Sequence, residues 1–397
     1  MTSLRYKRRL LLQATAALAC SSWLPAMAAD ARPAACAPAW PQWDAFARRQ
    51  IQADGRIVDF SVPEQHSTSE SQSYGMFFAL VANDRARFDS IWRWSRDNLG
   101  AGSDKLPAWH WGRRESGSFG VLDPNSASDA DLWFAYDLLE AARLWQQPQY
   151  HAAALALLAQ VKQREVKVMP KLGPMLLPGE FGFDAGKERW RLNPSYLPLP
   201  LLRRFATVDP TGPWVAMAQA SARLVIESAP QGFAPDWVIY DAAKGVVPDT
   251  ERSTLGSYDA IRVYLWTGVT ADGDPLVAGV RNALAPMVRA VVNYAAPPEK
   301  IDSVTGAPVG RGPIGFSAAL LPYLKAVQAD DALAAQQRLV ADKWSAWQAG
   351  APKPGAAGDG EFNYYNSMLT LFGWGWLQGH YRFDANGQLL PGWACRS

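Results

Sequence analysis

The residues best equipped for chemistry in this sequence are carboxylates set beside aromatic side chains. Three segments concentrate them: Thr68-Ser69-Glu70-Ser71-Gln72-Ser73-Tyr74-Gly75-Met76, Asn125-Ser126-Ala127-Ser128-Asp129-Ala130-Asp131-Leu132-Trp133 and Gly256-Ser257-Tyr258-Asp259-Ala260-Ile261-Arg262. Each places an acid at the start of an expected helix. Taken singly, each has a structural reading, because Ser, Thr and Asp ahead of an apolar helix bond its free N–H groups and complement its dipole. Taken together they have another. If inner helices of a barrel run the same way, Glu70, Asp129 and Asp259 converge on one rim. Two carboxylates flanking a glycosidic bond then suffice for hydrolysis, one protonating the leaving oxygen and the other acting as base or nucleophile. The proton donor needs its pKa raised by burial or by neighbouring negative charge, and a third carboxylate supplies that charge. Asp131 is expected to share the cleft or to cap the same helix, with the cap preferred.

Competing chemistries find little support. The four histidines (His66, His110, His151, His380) show no H-x-x-x-H spacing and no Cys partners at ligand spacing, so no zinc site is expected. Asp272-Gly273-Asp274 and Asp384-Ala385-Asn386-Gly387 lack the distal Glu of a calcium loop and read as turns. No phosphate loop ends Gly306 to Gly312, and no G-x-S-x-G elbow occurs, so neither metal nor organic cofactor is expected. The 39 Lys+Arg balance 37 Asp+Glu, and four of the bases (Arg5, Lys7, Arg8, Arg9) precede the first acid, Asp30. The remainder is near neutral, which argues against a nucleic-acid partner. Eighteen Trp, 13 Tyr and 15 Phe fit flat ligands such as sugar rings, although a Trp-rich core explains most individual rings. Trp109 and Trp111 alternate with Ala108 and His110, so in an extended segment both rings face one side, and sugar stacking is expected of at least one. For Trp133, Tyr196 and Trp237, core packing and cleft lining are equal alternatives.

The elements that must position these groups are helices. Apolar residues at three- and four-residue spacing mark helices over 40–53, 69–82, 85–98, 127–146, 149–164, 194–205, 212–227, 257–266, 275–294, 315–327, 331–347 and 364–376. Twelve in succession form six antiparallel hairpins, which predicts an all-α (α/α)6 barrel. No repeat of 20 to 50 residues points to a solenoid. The stretches 100–125, 166–193, 231–255 and 297–312 exceed ordinary connections, and such loops carry function; short β-hairpins are expected inside them. Residues 1–29 read as a cleaved signal peptide, with a basic start, an apolar stretch and Ala26-Met27-Ala28 before the cut. This leaves one domain over 30–397 in the periplasm or outside the cell. No later run of about 18 apolar residues would span a membrane. Cys36 and Cys395 remain after cleavage, and in an oxidising compartment they form a bridge between the chain ends or stay as two thiols.

The same three acidic segments carry a family resemblance. The sequence resembles glycoside hydrolase family 8: its 68–76 segment is similar to T-S-E-G-Q-S-Y-G-M, Ala127-Ser128-Asp129-Ala130-Asp131 matches A-S/T-D-A/G-D, and Ser257-Tyr258-Asp259-Ala260-Ile261-Arg262 is similar to S-Y-D-A-x-R. Supporting stretches include Leu106-Pro107-Ala108-Trp109, Asn193-Pro194-Ser195-Tyr196-Leu197-Pro198 and Gly315-Phe316-Ser317-Ala318-Ala319. The resemblance implies a cofactor-free endo-β-1,4-glucanase, a cellulase that cleaves a β-1,4-glucan chain with inversion. It implies Glu70 as general acid, Asp259 as the base that activates water, and Asp129 as a third carboxylate that positions the central sugar. Tyr258 would touch that sugar. Arg262 would orient the base or bind nearby, or else form a structural ion pair along the helix face. Similarity to exported members associated with bacterial cellulose synthase implies a functional link to a cellulose synthase complex. A family 8 xylanase or chitosanase, and a non-catalytic glucan-binding protein on the same barrel, are the alternatives. Ser71 stands where the family usually has Gly, and its side chain is expected to crowd the backbone beside Glu70.

Overall fold

Alternation between helices buried on all sides and helices buried on one face organises the chain. The computed structural model describes residues 39–102, 104–350 and 360–394; the expected signal peptide, Cys36 and Cys395 lie outside them. The helices, in order, are α1 (Pro41–Gln50), α2 (Ser69–Val81), α3 (Arg85–Leu99), α4 (Ser128–Trp145), α5 (Pro148–Arg164), α6 (Leu199–Val208), α7 (Trp214–Ser228), α8 (Ala260–Val269), α9 (Val277–Ala283), α10 (Pro286–Tyr294), α11 (Ile314–Ala326), α12 (Asp330–Gly350) and α13 (Tyr364–Leu377). All ten residues of α8 are buried, as is every residue of α2 except Glu70. By contrast α5 buries Tyr150, Ala154, Leu157, Leu158 and Val161, the single stripe of an outer helix. An inner ring of α2, α4, α6, α8, α11 and α13 is thus wrapped by an outer ring, giving an (α/α)6 barrel.

Two expected helices are divided by proline. The segment over 275–294 splits into α9 and α10, since Pro286 brings no N–H and fits only the first turn of a new helix. The segment over 194–205 becomes a 3-10 turn at Pro194–Tyr196 followed, after Pro198, by α6. The ring closes on aromatics: Phe372 of α13 lies 5.0 Å from Tyr74, 5.3 Å from Phe77 and 4.5 Å from Phe78 of α2, and 5.1 Å from Trp266 of α8.

Each of the four long connections holds a β-hairpin. His110–Arg113 pairs with Phe119–Asp123 and with the short strand Ser67–Thr68 before α2, and Val166–Met169 pairs with Gly173–Leu176. Asp184–Gly186, Arg189–Leu192, Val238–Asp241 and Gly245–Pro248 form one antiparallel sheet that joins two loops distant in sequence. Leu255–Gly256, Pro298–Asp302 and Pro308–Arg311 form another, and a hairpin of Tyr381–Phe383 with Leu389–Pro391, not anticipated, follows α13. No helix among the described residues is long and apolar enough to cross a membrane.

Candidate active site

At α2 and α8 the acids at the helix starts are not the residues that cap those helices. At α2 the cap is a reciprocal pair. Thr68 Oγ1 accepts from Ser71 N–H (3.0 Å), while Ser71 Oγ accepts from Thr68 N–H (3.0 Å) and donates to Thr68 C=O (2.8 Å). Ser71 therefore does not crowd Glu70. Its side chain turns back on the helix end and completes the cap, so the Glu70 carboxylate takes no part in it. At α8 the cap comes from a loop more than twenty residues upstream: Asp236 Oδ1 accepts from Ser257 N–H (2.7 Å) and Ala260 N–H (2.8 Å), and Oδ2 accepts from Ser257 Oγ (2.5 Å). Asp259, at the helix boundary, makes no capping bond. At α4, Asp129 Oδ1 accepts from the N–H of Ala130 (2.8 Å). The cap reading preferred for Asp131 does not hold: Asp131 bonds no backbone N–H and is fully buried beside Glu165. Burial pushes both of those carboxyls up, Glu165 to about 8.

Arg262 gathers the three acids. Its Nη1 donates to Glu70 Oε2 (3.0 Å), its Nη2 donates to Asp259 Oδ1 (2.7 Å) and lies 3.8 Å from Asp129 Oδ2. The guanidinium also donates to Ser195 Oγ (3.2 Å) and Tyr365 OH (3.4 Å). Of the four charged groups, Glu70 and Asp259 keep side chains 20% and 27% exposed, while Asp129 and Arg262 are each at 4%. Two carboxylates thus reach solvent, and the third is buried beside the same arginine. Burial pushes the Asp129 carboxyl up to about 7 against the pull of Arg262, with Glu70 adding to the rise. Burial likewise lifts Asp259 to about 6, opposed by Arg262 and reinforced by Asp236 and Glu70.

The aromatic expectations divide. Trp133 lies in the core, 1% exposed, packed on Tyr74, Phe77 and Trp266. Trp111 packs on Trp94 and Phe119 with the Arg56 guanidinium 4.3 Å from its ring centre. Trp109 is half-buried at the rim, stacked on His110, and its C=O accepts from Ser69 N–H beside Glu70. Tyr196 lies 5.9 Å from the Arg262 guanidinium and next to Trp237, which stacks on Phe183. Tyr258 is exposed beside Asp259, and its C=O accepts from Tyr365 OH. Sequence reading missed Tyr364, whose OH donates to Glu70 Oε1 (3.3 Å), together with Tyr365 and Asp236. The signal for the two tyrosines was their place behind Asn363, which caps the last inner helix.

A six-hairpin barrel whose inner-helix starts bring two open carboxylates and one buried carboxylate around an arginine defines a glycoside hydrolase. The family model for glycosyl hydrolases family 8 matches residues 16–379, and the chain belongs to that family. An endoglucanase of Xanthomonas axonopodis pv. citri is 50% identical over 97% of this chain and 97% of its own length. One from Escherichia coli strain K12 is 46% identical over 92% of this chain and 94% of its own. The crystal structure of an endo-1,4-D-glucanase from Vibrio fischeri ES114 superposes with a TM-score of 0.83 at 41% identity, covering 90% of this chain and all of that one.

Proposed function

We propose that the protein is an endo-β-1,4-glucanase that cleaves internal bonds of cellulose-like chains with inversion. The observation that carries this reading is the division of Glu70 and Asp259 between the two terminal nitrogens of Arg262, with both side chains open to the cleft. Glu70 protonates the departing glycosidic oxygen, its carboxyl steadied by the Tyr364 hydroxyl. Asp259 takes a proton from the water that attacks the anomeric carbon from the opposite face. Asp129, held behind them, binds the hydroxyls of the distorted central sugar, and Tyr258, Tyr196, Trp109 and Trp237 line the chain's path. The printed names of the relatives support the glucan as substrate. Export through the N-terminal signal, and trimming of glucan in concert with a cellulose synthase complex, complete the reading.

Proton NMR of the signal-free protein acting on cellohexaose tests the core of this proposal. Fresh α-anomer before mutarotation is expected; β-anomer appearing first would overturn inversion. Glu70→Gln is expected to lower turnover by at least about 10³-fold while leaving the fold and chain binding in place, and unchanged turnover would remove Glu70 from the role of acid.

A further inference from the structure

The most exposed aromatic ring among the described residues is that of Phe181, at 65%. A single exposed apolar side chain is ordinary on a protein surface, but the backbone beneath this one is held to an unusual degree. Asn125 grips it at both groups: Asn125 Oδ1 accepts from Phe181 N–H (3.1 Å), and Asn125 Nδ2 donates to Phe181 C=O (2.9 Å). Glu180 N–H donates to Ser126 Oγ (2.9 Å), which itself donates to the buried Glu165 (2.7 Å), and Ser128 N–H donates to Pro178 C=O (3.0 Å). The two segments run so close that a Cβ on Gly179 would stand 2.4 Å from Ser126 O. Residues 178–181 are thereby fastened to 125–128, the stretch that leads directly into Asp129.

The same fastening reaches the rest of the rim. The C=O of Asn125 accepts from Trp109 N–H (2.7 Å), so one residue sets both Trp109 and Phe181. Two residues beyond Phe181, Phe183 stacks on Trp237 with ring centres 6.0 Å apart and planes 6° apart, and Trp237 adjoins Tyr196 at the carboxylates. A line of aromatics therefore leads from the reacting centre into the loop that holds Phe181 out to solvent. The flat C–H face of a β-linked glucose is the ligand surface such a ring accepts.

We propose that Phe181, positioned by Asn125, is an outer sugar-stacking platform that extends the cleft and sets the length of β-1,4-linked chain it grips. This rests on the glucanase reading and adds chain-length selection to it. The test is calorimetric binding of cellotetraose and cellohexaose to the Glu70→Gln protein, alone and combined with Phe181→Ala or Phe181→Trp. Phe181→Ala is expected to weaken cellohexaose binding about three- to tenfold, the range of an aromatic contact, and cellotetraose binding by a clearly smaller factor, with Phe181→Trp restoring the hexaose affinity. Equal losses on both sugars, or no loss on the hexaose, would overturn the platform. The parent protein carrying Glu70 is assayed on the same sugars. Failure to cleave them while the Phe181 dependence persists would sink the glucanase reading and leave the platform standing.

Discussion

Three carboxylates around a single guanidinium cannot all be ionised without cost, and the site settles this by burying one of them. Asp129 is pushed up to about 7 and Asp259 to about 6, chiefly by burial. Both values lie above the ordinary carboxylate range, so between about pH 4 and those values the folded protein binds more protons than the unfolded chain. The sign follows: the contribution of these groups is fully present at low pH and is lost as pH rises through 6 and 7. Asp129→Asn removes the group that must ionise in a buried place. It is expected to raise the unfolding midpoint at pH 8 by an amount equivalent to about 1 kcal/mol or more, to raise it by a clearly smaller amount at pH 5, where only part of the linkage has been lost, and to abolish most turnover. Thermal unfolding at the two pH values checks it, and an equal effect at both would remove the ionisation of Asp129 as the cause. At this scale the acids were legible from their spacing at helix starts, whereas Asp236 was not, because the cap it supplies crosses from a loop and leaves no local pattern.

The helix start is the element on which both structural and catalytic readings of these acids converge. At two of the three starts the alternative of capping was resolved by finding another residue in the cap: Ser71 with Thr68 at α2, and Asp236 at α8. Asp236 thus does two things at once, bonding the free N–H groups and placing negative charge beside Asp259, which also faces Arg262, Glu70 and Asn193. Two substitutions separate these effects. In Asp236→Asn, a single amide oxygen can still accept from Ser257 and Ala260, so stability changes little, but the lost charge lowers the Asp259 pKa and activity persists to lower pH. In Asp236→Ala the cap also goes, at about 1 kcal/mol. Urea unfolding together with the acid limb of the kcat profile distinguishes them; an acid limb that stays in place in both variants would refute the electrostatic part. Helix order was legible because apolar periodicity survives in both rings. The divisions at Pro198 and Pro286 were missed, since a proline that starts a new helix and one that kinks an old helix look alike in sequence.

At the scale of the whole molecule, the proposed site depends on how closely the inner helices approach, because Tyr364 and Tyr365 on α13 bond Glu70 and Arg262, which come from α2 and α8. That approach is set by glycine. A Cβ on Gly373 of α13 would lie 1.9 Å from Ala318 O of α11, and one on Gly268 of α8 would lie 2.2 Å from Tyr323 N, also of α11. Backbone meets backbone at both seams, so no side chain can rotate away to make room. Gly373→Ala is expected to force α13 off α11 at about 1–3 kcal/mol and, by moving the two tyrosines, to lower kcat more than it raises KM. Gly279 in outer helix α9 provides the control: a Cβ there meets only the end of Ile226 at 3.7 Å. Gly279→Ala is therefore expected to leave activity intact and to stabilise the protein by up to about 1 kcal/mol through helix propensity. If chemical denaturation and turnover respond alike to the two substitutions, helix content rather than the inner-ring seam governs the site, and the link drawn here between ring closure and carboxylate placement fails.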